Sequence, residues 1–585
     1  MPSNAEISRV FAEMAAVMEI TGANVFKINA YRNAARLIAD HASSLAELVP
    51  DKKALMAIEG IGDGIASKII EFTQTGKVKD HAALVATIPA GLIEITNISG
   101  VGPKTAKLLW EKAGVTNLES LKAKIASGEL ENIPRMGAKT VENIKKSIEF
   151  LSQSSERTNI GDAMPLAENL IELLMQTRGA GVKRIEYAGS LRRGCETIGD
   201  IDLLAIASKP EKLMDAFATM PMVTQVLVRG GNKCSVRIAR GIQVDLRTID
   251  EDRFGASLLY FTGSKAHNIA LREKAQKMKL TLNEYGLFPD DGEPAPQNRG
   301  IKPIVATTEQ EIYKALKVPY FRPEMREDRG EFAFKTQAEV PNLIELKDIQ
   351  AELHAHTKAS DGLMTIEELA EEAKSRGFHT IAVTDHSRSS VQANGLSPER
   401  LREHTMAVRD AAKKVKGISI LTGSEVDILI DGRLDYDDDL LKELDIVIAS
   451  PHASLKQTPE EATKRLLKAI ANPYVHIIGH PTGRMVGRRE GLSPDMNKII
   501  AAAVKHNVAL EVNSNHNRLD LRDAHVRAAV DAGCLIGINT DAHTHDDFDE
   551  LCYGVLTARR GWLTAEQCIN AWPRVKLHKW LKSKR

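Results

Sequence analysis

Through roughly the first 150 residues leucine, isoleucine and alanine recur at helical spacing while β-branched alternation is scarce, so this region is predicted to be mostly helical. Three stretches inside it repeat one pattern: IEGIGDGIASKI from residue 58, ISGVGPKTAKLL from 98 and IPRMGAKTVENI from 133. Each sets a glycine-containing turn between an apolar anchor and a helix. This is a helix-hairpin-helix arrangement, which presents backbone N–H groups at a helix start where the dipole favours a phosphate. Gly60, Gly62, Gly100 and Gly102 are the positions at which a missing side chain admits a phosphodiester to the backbone. The third stretch departs from the pattern, with Arg135 where the others have Gly60 and Gly100.

From 160 to 250 the pattern changes to a helix followed by short apolar strands, RIEYAGS, DIDLLAI, TQVLVRG, CSVRIA and IQVDLRTI, which predict a small α/β unit. Residues 251–320 mix helix and turn, and the charged, proline-punctuated stretch 321–348 reads as a linker. Seven apolar runs follow: AELHAHT, HTIAVTDHS, ISILTGSEVDI, LDIVIASPHAS, VHIIGHPTG, VALEVNSN and LIGINTDAH. Strands alternating with helices imply a parallel sheet or barrel, and most of these runs end in His, Asp or Glu. In such barrels the carboxyl ends of the strands share one rim, where these side chains would converge.

A length of 585 residues allows roughly three or four domains. Lys plus Arg equals Asp plus Glu at 78 each, so net charge neither demands nor excludes a polyanionic partner. The five cysteines, Cys195, Cys234, Cys534, Cys552 and Cys568, form no CxxC pair and suit reduced thiols. Neither a signal-peptide core nor an apolar run of membrane-spanning length is present, so a cytoplasmic protein without membrane attachment is expected.

Two groups of residues carry chemistry. Asp200 and Asp202 are two apart on a predicted strand and so share a face. With Asp245 on a neighbouring strand they make an oxygen cage for divalent metal, able to serve an in-line displacement at phosphorus. His354 and His356 share a strand face in the same way, and Asp361, His386, Glu425, His452, His480, Asp541 and His543 add further ligand types at later strand ends. Imidazole and carboxylate together suit Mn²⁺, Zn²⁺ or Fe²⁺.

The segments GSLRRGCETIGDIDLL, VDLR and YFTGSKAHNIALR, with KINAYRNAARLI and the first hairpin upstream, resemble family X DNA polymerases over about the first 320 residues. That resemblance implies Asp200, Asp202 and Asp245 as the catalytic metal triad, holding Mg²⁺ or Mn²⁺. It also implies Ser190, Arg193 and Gly199 on the triphosphate, Tyr260, Phe261 and Gly263 beside the sugar, and Asn268 and Arg272 facing the nascent pair and template groove. Lys68 falls where the family's Schiff-base lysine lies and is the lyase candidate, although Gly64 replaces the flanking basic residue; a phosphate-binding lysine fits the spacing equally. The carboxy-terminal part resembles the PHP (polymerase and histidinol phosphatase) superfamily. The nine ligand positions from His354 to His543 are occupied, which implies a distorted seven-stranded β/α barrel, up to three divalent metals and phosphoester hydrolysis, with Glu425 as the bridging carboxylate.

The expected fold is therefore multidomain α/β. It comprises a lyase-like helical subdomain with a helix-hairpin-helix at 1–85, a second helical DNA-binding subdomain at 86–155, a nucleotidyltransferase palm at 156–250 and a nucleotide-selecting thumb at 251–322. A linker at 323–348 leads to a PHP barrel at 349–585. The order matches the bacterial and archaeal family X architecture and implies a gap-filling repair polymerase, a monomer using gapped or primed DNA and dNTPs. Its second domain would act as a 3′→5′ exonuclease, with AP endonuclease or 3′-phosphatase action in some family members. The competing readings are a nucleotidyltransferase for RNA or a small molecule, and a polymerase whose barrel is only a brace.

Overall fold

The computed structural model describes the chain apart from residues 1, 3, 42–44, 59, 97, 99–100, 134–135, 138–139, 142–143, 146–147, 149–156, 239–240 and 585. Gly100 and Arg135 lie outside the described residues. The chain divides into two compact units, Met1–Glu156 and Arg157–Arg585.

Among its described residues the first unit contains helices and no strand. Helix α1 (Asn4–Thr21) packs on α2 (Val25–Asp40), burying Phe11 and Met14 on one side and Ile28 and Ile38 on the other. Val17 and Ile20 of α1 join a second cluster built around Leu92, Val101 and Leu109, so one helix serves both cores. The two hairpin helices, α3 (Asp63–Thr75) and α4 (Pro103–Ala113), begin alike: Gly62 and Gly102 are their N-caps, with φ/ψ of −80/173° and −70/172°. Neither cap has a side chain to satisfy the first-turn N–H groups, and nothing stands within 4 Å of where a Cβ would be. A helix start with no side-chain cap and open space beside the glycine is the arrangement that suits phosphate binding.

The second unit opens with a five-stranded sheet in the order β1 (Val182–Tyr187), β2 (Asp200–Ala207), β5 (Gln243–Thr248), β4 (Lys233–Ile238), β3 (Val223–Arg229). β2 and β5 are parallel and in a register that sets Asp202 opposite Asp245. The short helix α5 (Gly189–Arg192) connects β1 towards β2. Next come α6 (Phe254–Thr262), α7 (Lys265–Lys277) and α8 (Glu309–Ala315). The barrel is a seven-stranded sheet whose spatial order follows the sequence: β6 (Ala351–Glu352), β7 (Thr380–Val383), β8 (Ser419–Asp427), β9 (Ile446–Ser450), β10 (Ile477–Ile478), β11 (Ala509–Asn513) and β12 (Ile536–Asn539). Every pairing is parallel, and a bridge between Ala355 and Ala542 draws the first and last strands together. The near-continuous burial of these strands fits a sheet covered on both faces.

The predicted linker joins thumb and barrel as packed chain rather than a tether. It forms four short 3₁₀ turns, and Met325 and Leu343 enter one apolar cluster with Tyr313 of the thumb and Trp562 of the barrel. Its Arg326 is fully buried and lies 2.6 Å from Glu309, the carboxylate that also holds Arg192 of the palm at 2.8 Å. Barrel residues likewise complete the palm core, where Leu519 is buried and Leu556 of helix α9 (Leu551–Arg560) packs against the cluster. Proline and charge mark the segment as a linker in the sequence but do not show its packing, because the partners that neutralise the charge lie in other elements.

Burial alone would raise the Glu309 carboxyl, but Arg326 and Arg192 outweigh it and hold the group well below the usual carboxylate range. Glu327 is likewise opposed by burial, yet Arg560, Arg193 and Arg329 bring it to about 2. A carboxylate depressed in the folded state contributes stability above its unfolded pKa and loses it as pH falls through the folded value. Chemical denaturation should therefore show the second unit weakening as pH falls from 4.5 to about 2. Glu309→Gln, which strands the buried Arg326 and leaves the half-buried Arg192 without its carboxylate, should cost about 3 kcal/mol at neutral pH.

Candidate functional site

In the palm, strand alternation sends Asp200 and Asp202 to one face, and the parallel neighbour brings Asp245 beside Asp202. Gly189, at φ +62°, permits the close approach here: a Cβ would lie 2.7 Å from an Asp202 carboxylate oxygen. Burial first, then Asp200 and Asp245, push the Asp202 carboxyl up to about 7, and burial with Asp245 raises Asp200. This mutual repulsion is what a bound cation would relieve, so the donor set suits a hard divalent ion. The three do not yet bring one oxygen each within 4.8 Å of one another. Lys233, absent from the sequence reasoning, lies 3.4 Å from Asp245, and Gln243 donates to the same carboxylate at 2.9 Å.

Of the residues expected around a nucleotide, Ser190, Arg193 and Gly263 lie where α5 meets the end of α6. Ser190 lies on α5, and Arg193 follows it and donates to the Thr262 carbonyl at 2.6 Å, next to Gly263 at φ +71°. Tyr260 and Phe261 stand edge to face at 5.1 Å, with Arg247 over the Phe261 ring. Asn268 is engaged by the Tyr260 carbonyl at 2.7 Å, Arg272 is half-buried on α7, and Gly199 adjoins the Arg157 guanidinium.

In the first unit Gly60 takes φ +90° and faces Leu37, marking a tight turn before Gly62. Lys68 pairs with Asp80 at 2.8 Å. Burial lowers its pKa, but hydrogen bonding to Asp80 and the neighbouring Tyr31 prevail and raise it, the reverse of what an amine nucleophile needs at neutral pH.

The barrel brings its nine expected residues to one end of the sheet. Three overlapping groups place their donor atoms within 4.8 Å: His356, Asp361, His386 and His543; His354, His356, Glu425 and Asp541; and His386, Glu425 and His452. His480 stands beside them, its Nε2 2.8 Å from Glu425. Nitrogen and oxygen atoms approach closely, as in His356 to Asp541 at 2.9 Å and His386 to Glu425 at 2.8 Å, yet His356 Nε2, His386 Nδ1, Glu425 Oε2 and Asp541 Oδ1 have no hydrogen-bond partner. Donors about 2.0–2.2 Å from a shared cation stand roughly 3 Å apart and aim at the ion rather than at each other. The orphaned buried atoms therefore fit a metal cluster.

Other side chains hold the ligands. His354 Nδ1 donates to Glu511 at 2.8 Å, His452 Nδ1 to Asp427 at 2.9 Å and His543 Nδ1 to the Asp541 carbonyl at 2.7 Å, which leaves each Nε2 for the cluster. Burial opposes ionisation of Glu425, but His452, His354 and His386 hold its carboxyl well below the usual range, so it is an anion. A cavity of about 200 Å³ opens over His386, Asp541 and His543 and is also lined by Arg518, which brings a cation to its wall. Sequence reasoning missed Glu511, Asp427 and Arg518. The first two lie in quoted strand runs, where alternation could have marked them, and Arg518 lies in a loop without periodicity. Glu511→Ala should lower metal affinity about 10–100-fold by freeing His354; metal content after dialysis against a graded chelator measures it, and wild-type retention would contradict it.

Comparison with known proteins agrees with this geometry. Residues 2–78 match the family model of a helix-hairpin-helix domain and 92–149 that of a SAM-like helix-hairpin-helix tandem. Residues 257–327 match the DNA polymerase beta thumb and 352–515 the PHP domain. The DNA polymerase/3′-5′ exonuclease PolX of Bacillus subtilis is 36% identical over 569 residues, covering 97% of each chain. The probable phosphatase YcdX of Escherichia coli is 33% identical over 236 residues, 38% of this chain and 90% of that protein. A probable phosphatase of Thermoanaerobacter is 29% identical over 40% of this chain and 94% of its own length. With near-complete coverage by PolX, and with helix-hairpin-helix, thumb and PHP regions in order, this chain belongs to the family X DNA polymerases that carry a carboxy-terminal PHP domain.

Proposed function

We propose that this protein fills short gaps in DNA during repair and trims 3′ ends, each reaction at its own metal site. The observation that carries the reading is the pairing, in one compact unit, of three strand-borne carboxylates in the palm with a separate histidine-rich cluster under a cavity. Divalent cations, Mg²⁺ or Mn²⁺ in the palm and up to three of Mn²⁺, Zn²⁺ or Fe²⁺ in the barrel, would supply the Lewis acidity for displacement at phosphorus. The protein's own part is to bind and orient. Asp200, Asp202 and Asp245 would hold the palm ions, while Ser190 and Arg193 would meet the triphosphate of a dNTP. Tyr260 and Phe261 would wall the sugar against a 2′-hydroxyl. The Gly62 and Gly102 turns would take DNA phosphates without reading sequence.

In the barrel, Glu425 belongs to two of the donor groups and approaches His480 as well, so it would span the ions. Arg518 would offset the charge of the scissile phosphodiester, and the Nδ1 hydrogen bonds would keep the imidazoles in the tautomer that presents Nε2. An open cavity above the ligands supports hydrolysis over a purely bracing role. We assign no lyase function to Lys68 and expect a phosphate-facing one. A monomer in the cytoplasm is the form in which we expect it to act.

Extension and 3′ digestion measured on one gapped duplex, with circular dichroism as the folding control, test the assignment. Asp200→Ala or Asp202→Ala should abolish nucleotide addition and leave digestion. The double substitution His354→Ala, His356→Ala should abolish digestion and leave addition. Digestion at the wild-type rate in the histidine variant, or its complete loss in the aspartate variants, would refute two separate sites.

A further inference from the structure

Arg193 is held by more than the palm. Its Nε lies 2.9 Å from Glu327 Oε1, an oxygen that also lies 2.9 Å from Arg560 Nη1. The same Arg560 nitrogen donates to the Arg193 main-chain carbonyl at 2.8 Å. Arg560 is the last residue of α9 in the barrel, and its other edge rests on Asp523, with Nε at 3.0 Å and Nη2 at 2.9 Å. Asp523 is shared in turn with Arg329 at 2.9 Å. The contact is tight and dry: Arg560 is 8% exposed, and a Cβ on the neighbouring Gly194 would stand 3.2 Å from Leu556 of α9. A barrel side chain thus touches both the backbone of Arg193 and the carboxylate that competes for its guanidinium.

A carboxylate out of water must keep a cation, and releasing its partner strands the charge. Glu327 has two close arginines, so Arg193 can turn towards a triphosphate while Arg560 still neutralises Glu327. Without Arg560 the attraction of Glu327 falls on Arg193 and Arg329 alone, and drawing the Arg193 guanidinium away becomes costlier. We propose that Arg560 of the barrel is a positioning residue for nucleotide addition in the palm, which leaves Arg193 free for the incoming triphosphate. The inference rests on the reading that Arg193 meets the triphosphate. It gives the barrel a part in synthesis that is separate from hydrolysis.

Steady-state addition on a gapped duplex by the full chain, with 3′ digestion and thermal melting recorded alongside, tests it. Arg560→Met should raise the KM for dNTP about tenfold, the order expected of a lost charge-assisted hydrogen bond, with a smaller change in kcat and digestion unchanged. Adding Glu327→Gln to Arg560→Met should restore most of the KM, because the stranded anion is gone; a loss of packing would not be repaired by a second buried substitution. Glu327→Gln alone should lower the KM, and it carries the test if Arg560→Met melts below the assay temperature. An unchanged or raised KM in Glu327→Gln overturns the proposal, as does an Arg560→Met defect that Glu327→Gln fails to relieve. Arg193→Met is the reference. If it raises the KM while Arg560→Met does not, the proposal falls and the nucleotide assignment stands. If Arg193→Met leaves the KM unchanged, that assignment falls and takes the proposal with it.

Discussion

A carboxylate taken out of water must meet positive charge, and the second unit is organised around the ways it does so. Glu309 is answered by Arg192 from the palm and Arg326 from the connecting segment, at 2.8 and 2.6 Å. Glu327 is answered by Arg193 and Arg560, one on each side of the palm and barrel junction. These fixed cations tie the palm, thumb, connector and barrel together. At the barrel site the carboxylates meet imidazoles instead of arginines, and there the donor geometry suits metal.

The two sites meet the constraint differently. In the palm, burial and two neighbouring carboxylates push Asp202 up to about 7. In the barrel, buried imidazoles are held from behind by Glu511 and Asp427, and the donors already converge. A prearranged cluster suits hydrolysis of whatever 3′ end reaches it.

Much of this was legible in the sequence because the signals are local. Strand alternation put Asp200 with Asp202 and His354 with His356, and parallel strand ends gathered the remaining ligands. Glycine turns marked both hairpins, and the barrel's seven strands follow the seven apolar runs. What stayed hidden depends on contacts between distant segments. The Arg560 and Arg193 contact spans 367 residues, and no periodicity in either segment points to the other. The ion pairs of residues 323–348 were hidden for the same reason, since the partners of Arg326 and Glu327 belong to other elements. Glu511 was passed over because a buried strand acid that binds a histidine looks, in sequence, like any other strand acid.

The central claim is that synthesis and hydrolysis occupy separate sites in one cooperative body held by buried ion pairs. Hydrogen exchange by mass spectrometry, followed through thermal unfolding of the full chain, tests it most directly. The account expects palm strand 200–207 and barrel strand 419–427 to lose protection at one temperature, and to shift down together when the barrel metals are chelated, because metal binding is linked to folding. Separate midpoints, with chelation moving the barrel strand alone, would contradict it.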